Sequence, residues 1–341
     1  MNPMVALSLV TSMSVGITPS VPAWTATADT GVTARLRGLS AVSSQVAWAS
    51  GSAGTVLRTV NGGNSWQQVG PPETSDLQFR DIEAFDSHRA VILAIGPGES
   101  SRVYLTSDGG GSWRETFRNT DPNAFYDCMA FFDRSHGLAL SDPVDGKFRI
   151  LSTSDGGQSW NVLPNDNMPA ALEGEFAFAA SGTCLTTAPG LGRDAWFATG
   201  GGATARVFHT RNGGRSWSVS DTAIPSGPSA GIYSLSFRDP WHGIAVGGDF
   251  VTPTSAPDAA AVTRDGGRTW TLAQAEPGEY RSGVFYGLTR AIAVGPTGSD
   301  ISFNGGKTWT RFDTTSLDSV DCAFPWACWA SGENGRVVRL K

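Results

Sequence analysis

One eight-residue pattern, [ST]-x-[DN]-G-G-x-[ST]-W, occurs six times in this chain. It reads TVNGGNSW from Thr59 to Trp66, TSDGGGSW from Thr106 to Trp113 and TSDGGQSW from Thr153 to Trp160. It returns as TRNGGRSW from Thr210 to Trp217, TRDGGRTW from Thr263 to Trp270 and SFNGGKTW from Ser302 to Trp309. The acid or amide position is Asn61, Asp108, Asp155, Asn212, Asp265 and Asn304, at steps of 47, 47, 57, 53 and 39 residues. A fixed motif at that spacing marks an array of supersecondary units. Two adjacent glycines let the backbone take φ > 0 without a Cβ clash. The Asp or Asn oxygen accepts backbone N–H groups across the turn. Trp66, Trp113, Trp160, Trp217, Trp270 and Trp309 each open the next strand with a large apolar plate. None of this chemistry needs a substrate, so the repeat reads as scaffold.

Apolar strands precede each motif, such as YSLSF followed by GIAVGG, and a short alternating run such as TLAQA follows it. Each unit is therefore four short antiparallel strands, with the motif as the turn between the third and fourth. Such units stacked in a ring make a β-propeller. A seventh unit starts near Ser316, and its CWASGENGRVVRL matches AWASGSAGTVLRT of the first, but the chain stops before a fourth strand. AWTATADT, from Ala23 to Thr30, carries a Trp where a motif Trp would stand. The fold class expected is all-β: a single seven-bladed propeller of four-stranded antiparallel blades over residues 24–341, closed by an N-terminal strand. Closure removes free sheet edges.

Residues 1–23 are uncharged and moderately apolar and end in Val21-Pro22-Ala23, which reads as a signal peptide or leader lacking a basic n-region. That places the mature protein outside the cytoplasm, in the periplasm, at the cell surface or secreted. No later stretch approaches a membrane span. Net charge is −6 with no run of Lys or Arg, which argues against nucleic acid or an anionic membrane surface as a partner. The four cysteines lack zinc-site spacing. Cys322 and Cys328 flank AFPWA and suit a disulfide across a hairpin; Cys128 and Cys184 are the second candidate pair, and four buried thiols are the alternative.

The repeated turns resemble the Asp-box, or bacterial neuraminidase repeat. The GG form and the x-W-A-x-G strands are most similar to photosystem II stability/assembly factor-like bacterial proteins. That resemblance implies a non-catalytic propeller that docks protein partners during membrane-protein assembly. A sialidase would need an arginine triad, a Tyr/Glu pair and an Asp acid. The motif Phe-Arg-Ile-Pro of that family has only FRDI, at Phe79 to Ile82, as a counterpart here. There is no strand–GxGxxG–helix unit for a dinucleotide.

Propeller ligands meet the loops around the channel. Alignment of the inner strands sets Arg37 with Arg80 and Asp81 with Asp127, and brings Tyr126, Glu175, Tyr233, Tyr280, Arg281 and Asp318 near the same level. Asp81, Asp127 and Glu175 are the candidate catalytic carboxyls; a pair roughly 5–10 Å apart would suit glycoside hydrolysis. Arg37, Arg80, Tyr126, Tyr233 and Arg281 are candidate ligand contacts, joined by Asp142 and Asp145 from the loop SDPVDGKFRI. His88, His136 and His242 fall in equivalent turns of different blades and so do not converge on a metal. The expected function is an exported monomeric scaffold without cofactor or metal, binding a protein. The alternative is a glycoside hydrolase or glycan-binding protein working at the channel mouth.

Overall fold

In the computed structural model, residues 22–190, 192–323 and 327–341 are described; the expected leader falls almost wholly outside them. The chain forms seven four-stranded antiparallel sheets, each in sequence order from the inside outward, except the one that joins the two ends of the chain. The innermost strands are Leu36–Ala41, Gln78–Ala84, Tyr126–Phe131, Leu185–Thr187, Ala230–Phe237, Gly283–Tyr286 and Ser319–Ala323, which define blades one to seven. Among the described residues the only helical turn is Gly98–Ser100. Blade seven is completed by Trp24–Ala26, which pairs antiparallel with Val337–Leu340 in the register Trp24↔Leu340 and Ala26↔Val338. Trp24 reaches into blade six: its Nε1–H donates to Ser299 Oγ at 2.9 Å and its ring lies 5.8 Å from Phe312.

The six repeated turns share one geometry. In blade two the Thr106 hydroxyl donates to Asp108 Oδ1 and accepts from Gly110 N–H, both at 2.9 Å. Asp108 Oδ1 also accepts from Ser112 N–H at 2.9 Å, while its Oδ2 takes the Ser112 hydroxyl at 2.6 Å. The glycine carrying the second N–H has φ near +80 in every repeat, +86 at Gly110. The first glycine ties the turn to the neighbouring hairpin of its own blade: Gly109 N–H donates to His88 O at 2.8 Å, Gly156 to Ser135 O at 2.7 Å and Gly266 to Trp241 O at 2.9 Å. Both turn types therefore lie on one face of the disc, the turn face, and the channel mouth where the inner strands begin lies on the other.

The core is apolar and sits between blades. Trp113 stands edge-on to Trp48 of blade one, and Trp66 stands edge-on to Trp329 of blade seven. Two disulfides are present. Cys128–Cys184 joins the inner parts of blades three and four, and Cys322–Cys328 bridges opposed positions of the first hairpin of blade seven. Side chains also stitch the inner strands into a ring. Ser40 Oγ accepts Ala84 N–H, Asp81 Oδ2 accepts Met129 N–H, and the Thr187 hydroxyl donates to Phe131 O. Thr183 bonds Ser234, Ser234 Oγ accepts Val284 N–H, the Ser282 hydroxyl donates to Asp318 O, and Asp321 Oδ2 accepts Ala41 N–H. All seven blade boundaries carry such a bond.

Gly110→Ala tests the turn. A Cβ there would lie 2.5 Å from Val69 Cβ, on a backbone at φ +86 that disfavours any L side chain. Urea unfolding is expected to show a loss of about 1–3 kcal/mol, whereas Gly146→Ala, whose Cβ would meet nothing within 4 Å, is expected to show only the smaller backbone cost.

Candidate functional site

Four inner strands carry a β-bulge at the same level. The unpaired residue is Arg37 in blade one, Arg80 in blade two, Asp127 in blade three and Tyr233 in blade five. A bulge inserts one residue and re-aims its side chain. Arg37, Arg80 and Tyr233 all line one cavity of about 490 Å³ at the channel mouth, with Arg35, Phe178 and Tyr280. The sequence alignment therefore needs one correction: Asp127 is the counterpart of Arg80, not of Asp81, because the bulge falls between Phe79 and Asp81 in one strand and between Tyr126 and Cys128 in the other.

The mouth is cationic. Arg35 forks onto Asp318, with Nε at 2.8 Å and a terminal nitrogen at 2.7 Å, and also meets the exposed Glu333 at 3.3 Å. Arg37 Nε stands 3.9 Å from the same Asp318 and makes no hydrogen bond among the described residues. Arg80 donates to Ala179 O at 2.8 Å. Burial, with Arg37 and Arg35 adding repulsion, pushes the Arg80 guanidinium down to about 10. Arg35 and Arg37 thus share the buried Asp318, and Arg80 adds a third guanidinium whose hydrogen bond goes to a carbonyl. Beside them stands an aromatic wall. Phe178 stacks on Tyr233 at 3.9 Å, Tyr280 meets Tyr233 edge-on at 4.7 Å, and Phe250 closes the rim with 54% of its surface exposed. Burial raises the pKa of both tyrosines, and the Tyr233 hydroxyl donates to Ser229 O at 2.7 Å.

The candidate carboxyls divide sharply. Asp81 is not free to act on a ligand: Oδ1 accepts Ile82 N–H at 2.8 Å and Oδ2 accepts Met129 N–H at 2.6 Å, so it is one of the seven ring stitches. Burial nonetheless pushes it up to about 8. Glu175 is closed off as well. Arg206 covers both its oxygens, Thr199 donates to Oε1 at 2.6 Å, and Leu172 N–H donates to Oε2 at 2.8 Å. Asp127 is only 1% exposed, and its Oδ2 makes no hydrogen bond among the described residues. Burial first, and Asp142 second, hold its pKa well above the usual range. Asp142 is pushed up to about 7 by burial, opposed by Ala177 N–H, which donates to its Oδ1 at 2.9 Å.

Three further candidates lie elsewhere. Tyr126 packs in the core between blades two and three, edge-on to Phe117. Arg281 is buried and paired with Asp300 at 2.7 Å and Glu279 at 3.7 Å. Asp145 occupies an exposed hairpin tip at φ +54, next to Gly146. His136 and His242 each bond the Asp three residues before them in their own turns, and His88 bonds Ser87. Among the described residues no three His, Cys, Asp or Glu gather as a metal site. Sequence reasoning missed Arg35, Phe178, Phe250 and Glu333, which come from connections outside the aligned strands, where no periodicity places them.

With this geometry in place, the chain can be set beside solved structures. It is most like propellers. A structure described as "YCF48 bound to D1 peptide" superposes at TM-score 0.66 with 15% identity over 93% of this chain and 94% of that one. YCF48 from Cyanidioschyzon merolae gives TM-score 0.64, 14% identity and coverage of 93% and 98%. The WD40 propeller domain of Doa1 gives 0.63, 12%, 93% and 97%. At these identities the likeness concerns the fold. No protein-family model matches the chain, and no curated protein matches it.

The raised carboxyls set a pH dependence. A carboxyl whose folded pKa lies above its unfolded value near 4 binds more protons when folded, so its contribution is intact below about pH 4 and is lost as pH climbs through the folded value. For Asp81 and Glu83, both pushed up to about 8, and Asp142, at about 7, that window is roughly pH 4 to 8. The carboxylates held low by turn or ion-pair bonds, such as Asp86, act only below it. The melting temperature is expected to be higher at pH 5 than at pH 8. In Asp81→Asn that difference shrinks whatever the variant's absolute stability; an unchanged slope would remove Asp81 from the account.

Proposed function

We propose that this chain is an extracytoplasmic binding module that holds a carboxylate-bearing protein segment in the arginine–aromatic mouth of its channel. The observation that carries this reading is the set of Arg35, Arg37 and Arg80 lining one cavity, in which Asp318 faces Arg35 and Arg37 while Arg80 has only the Ala179 carbonyl as a hydrogen-bond partner, beside the Phe178–Tyr233–Tyr280 wall. Guanidinium groups held together in a desolvated cleft favour an incoming anion, and their planar forks match a carboxylate. The aromatic wall suits an adjacent apolar or aromatic side chain. A structurally similar propeller has been solved with a peptide bound, which is consistent with a peptide as ligand. The repeated turns fit the Asp-box description, and two disulfides fit an oxidising compartment, in keeping with residues 1–23 as an export leader and with a monomer closed on itself.

One observation favours a second reading. Asp127 and Asp142 are near-neighbour carboxyls with raised pKa values, the condition under which one acts as an acid toward a glycosidic oxygen. The two readings separate experimentally. Calorimetry against peptides ending in an aromatic residue, as free acid and as amide, is expected to show preference for the acid. Arg37→Glu or Arg80→Glu should lower affinity about tenfold or more. Turnover of chromogenic glycosides that disappears in Asp127→Asn and Asp142→Asn, with no peptide binding, would replace the binding reading with the hydrolytic one.

A further inference from the structure

The opposite face carries a second feature that the channel mouth does not explain. On the turn face, blades five and six present three large apolar side chains on the tips of three separate turns. These are Trp241 at 54% exposure, Leu288 at 69% and Phe303 at 69%. Trp241 sits in the first hairpin turn of blade five, Leu288 in that of blade six, and Phe303 in the GG turn of blade six. Phe303 takes a position held by Ser107, Ser154, Arg211 and Arg264 in four of the other repeats, so turn geometry does not ask for an aromatic there. Leu288 and Phe303 line one cavity of about 260 Å³ with His242, the neighbour of Trp241. Leu288 also borders a groove of about 510 Å³ walled by Pro189, Phe237, Val284, Phe285 and Ala323, so one tip is common to both hollows. Scattered single apolar residues need no account, but a connected group on one face does.

Charge chooses among the occupants. The chain as a whole carries −6. The four turns 238–242, 264–268, 288–290 and 303–307 carry five cationic side chains against the two carboxylates Asp239 and Asp265. Asp239 is paired with Arg238 and His242 and Asp265 is bonded within its own turn; with the Arg238–Asp239 pair set aside, the turns still carry four cationic side chains against one carboxylate. Arg264 and Arg268 are exposed beside the apolar tips. Convex tips of Trp, Leu and Phe, ringed by long cationic side chains, match the boundary between headgroups and acyl chains: the apolar parts enter, and the cations stay at the phosphate level. A strand or helix from a protein partner would call for a groove or edge that takes all three tips together, whereas of the three only Leu288 borders the groove.

We propose that the turn face of blades five and six docks on an anionic lipid surface, which leaves the arginine mouth facing away from the bilayer. The absence of a basic run in the sequence does not oppose this, because the fold gathers cations from turns up to 69 residues apart.

The test is sedimentation of the full chain with vesicles of phosphatidylcholine alone and with added phosphatidylglycerol. Two triple variants run beside it: Trp241→Ser, Leu288→Ser, Phe303→Ser on the turn face, and Leu172→Ser, Phe250→Ser, Val251→Ser, which remove exposed apolar surface elsewhere. All six side chains are exposed, so both variants are expected to keep the wild-type circular dichroism and melting temperature. The expected result is partition onto anionic vesicles that weakens with salt, falls on the order of tenfold or more in the turn-face variant and is unchanged in the other. The proposal fails if the wild type does not partition, if both variants lose equally, or if the turn-face variant partitions as the wild type does, since any contribution of residues 1–23 is common to all three proteins. It also fails if size-exclusion shows the wild type self-associating without lipid and the turn-face variant monomeric, for then the face belongs to a second copy. Peptide binding at the mouth is measured separately and is expected to survive the turn-face variant, so the two readings stand or fall apart.

Discussion

A ring of seven packed sheets holds only while every joint between blades holds, because opening one exposes the apolar flanks of two blades at once. The sequence supplies these joints in three layers. Outermost, Trp24–Ala26 completes blade seven with the far end of the chain. In the middle, aromatic plates such as Trp66 against Trp329 fill the wedge between blades. Innermost, a side-chain-to-backbone or hydroxyl bond crosses every boundary at the channel wall. The bond from Asp321 to Ala41 N–H closes the circle between blades seven and one. Non-local closure of this sort is slow to form but leaves only short, protected sheet edges at the outer strands of the blades.

The stitched inner ring explains why carboxyls near the channel divide into two kinds. Asp81 follows its bulge residue directly as Ser234 does, Asp321 faces Trp329 as Ser40 faces Trp48, and the oxygens of both acids are taken up by backbone N–H groups. They hold the wall. Burial raises their pKa values as it does that of Asp127, so a raised pKa by itself does not single out a ligand-facing group. What distinguishes Asp127 is an oxygen without a hydrogen bond at a bulge shared with Arg37, Arg80 and Tyr233. Geometry separates the two kinds where electrostatics does not.

Much of the fold was legible because its signals are local. A turn that needs two glycines at positive φ, an acceptor and a Trp writes itself into eight consecutive residues, and the blade count, the strand order and the closing strand followed from counting those turns. The Cys322–Cys328 disulfide was legible because its spacing matches a hairpin, whereas nothing in the spacing of Cys128 and Cys184, 56 residues apart on different blades, required them to pair. The site was less so. Alignment of the inner strands set Arg37 with Arg80 and brought Tyr233 near their level, as the bulges do, but it matched Asp81 to Asp127 although the bulge positions pair Asp127 with Arg80. Glu175 and Arg281 were singled out by their level in the same alignment, whereas each is satisfied by a partner, Arg206 and Asp300, from another part of its own blade.

The two faces of the disc differ for a reason rooted in how blades are built. On the turn face six connections share the GG geometry and vary at their second position, as in the change from serine or arginine to Phe303. On the mouth face some connections are two-residue tips, such as Asp145-Gly146, while longer ones deliver Phe178, Phe250 and Glu333 to the rim. A bulge at the start of four inner strands then turns one residue per blade toward those loops. Selection on a ligand can act through the bulged positions and the loops without disturbing stitches such as Asp81 and Ser234, one residue beyond a bulge, or Ser40, three residues beyond one, because those side chains are tied to the neighbouring blade. The rigid ring thus separates the residues that keep it closed from those that line the mouth within a few steps along the strand.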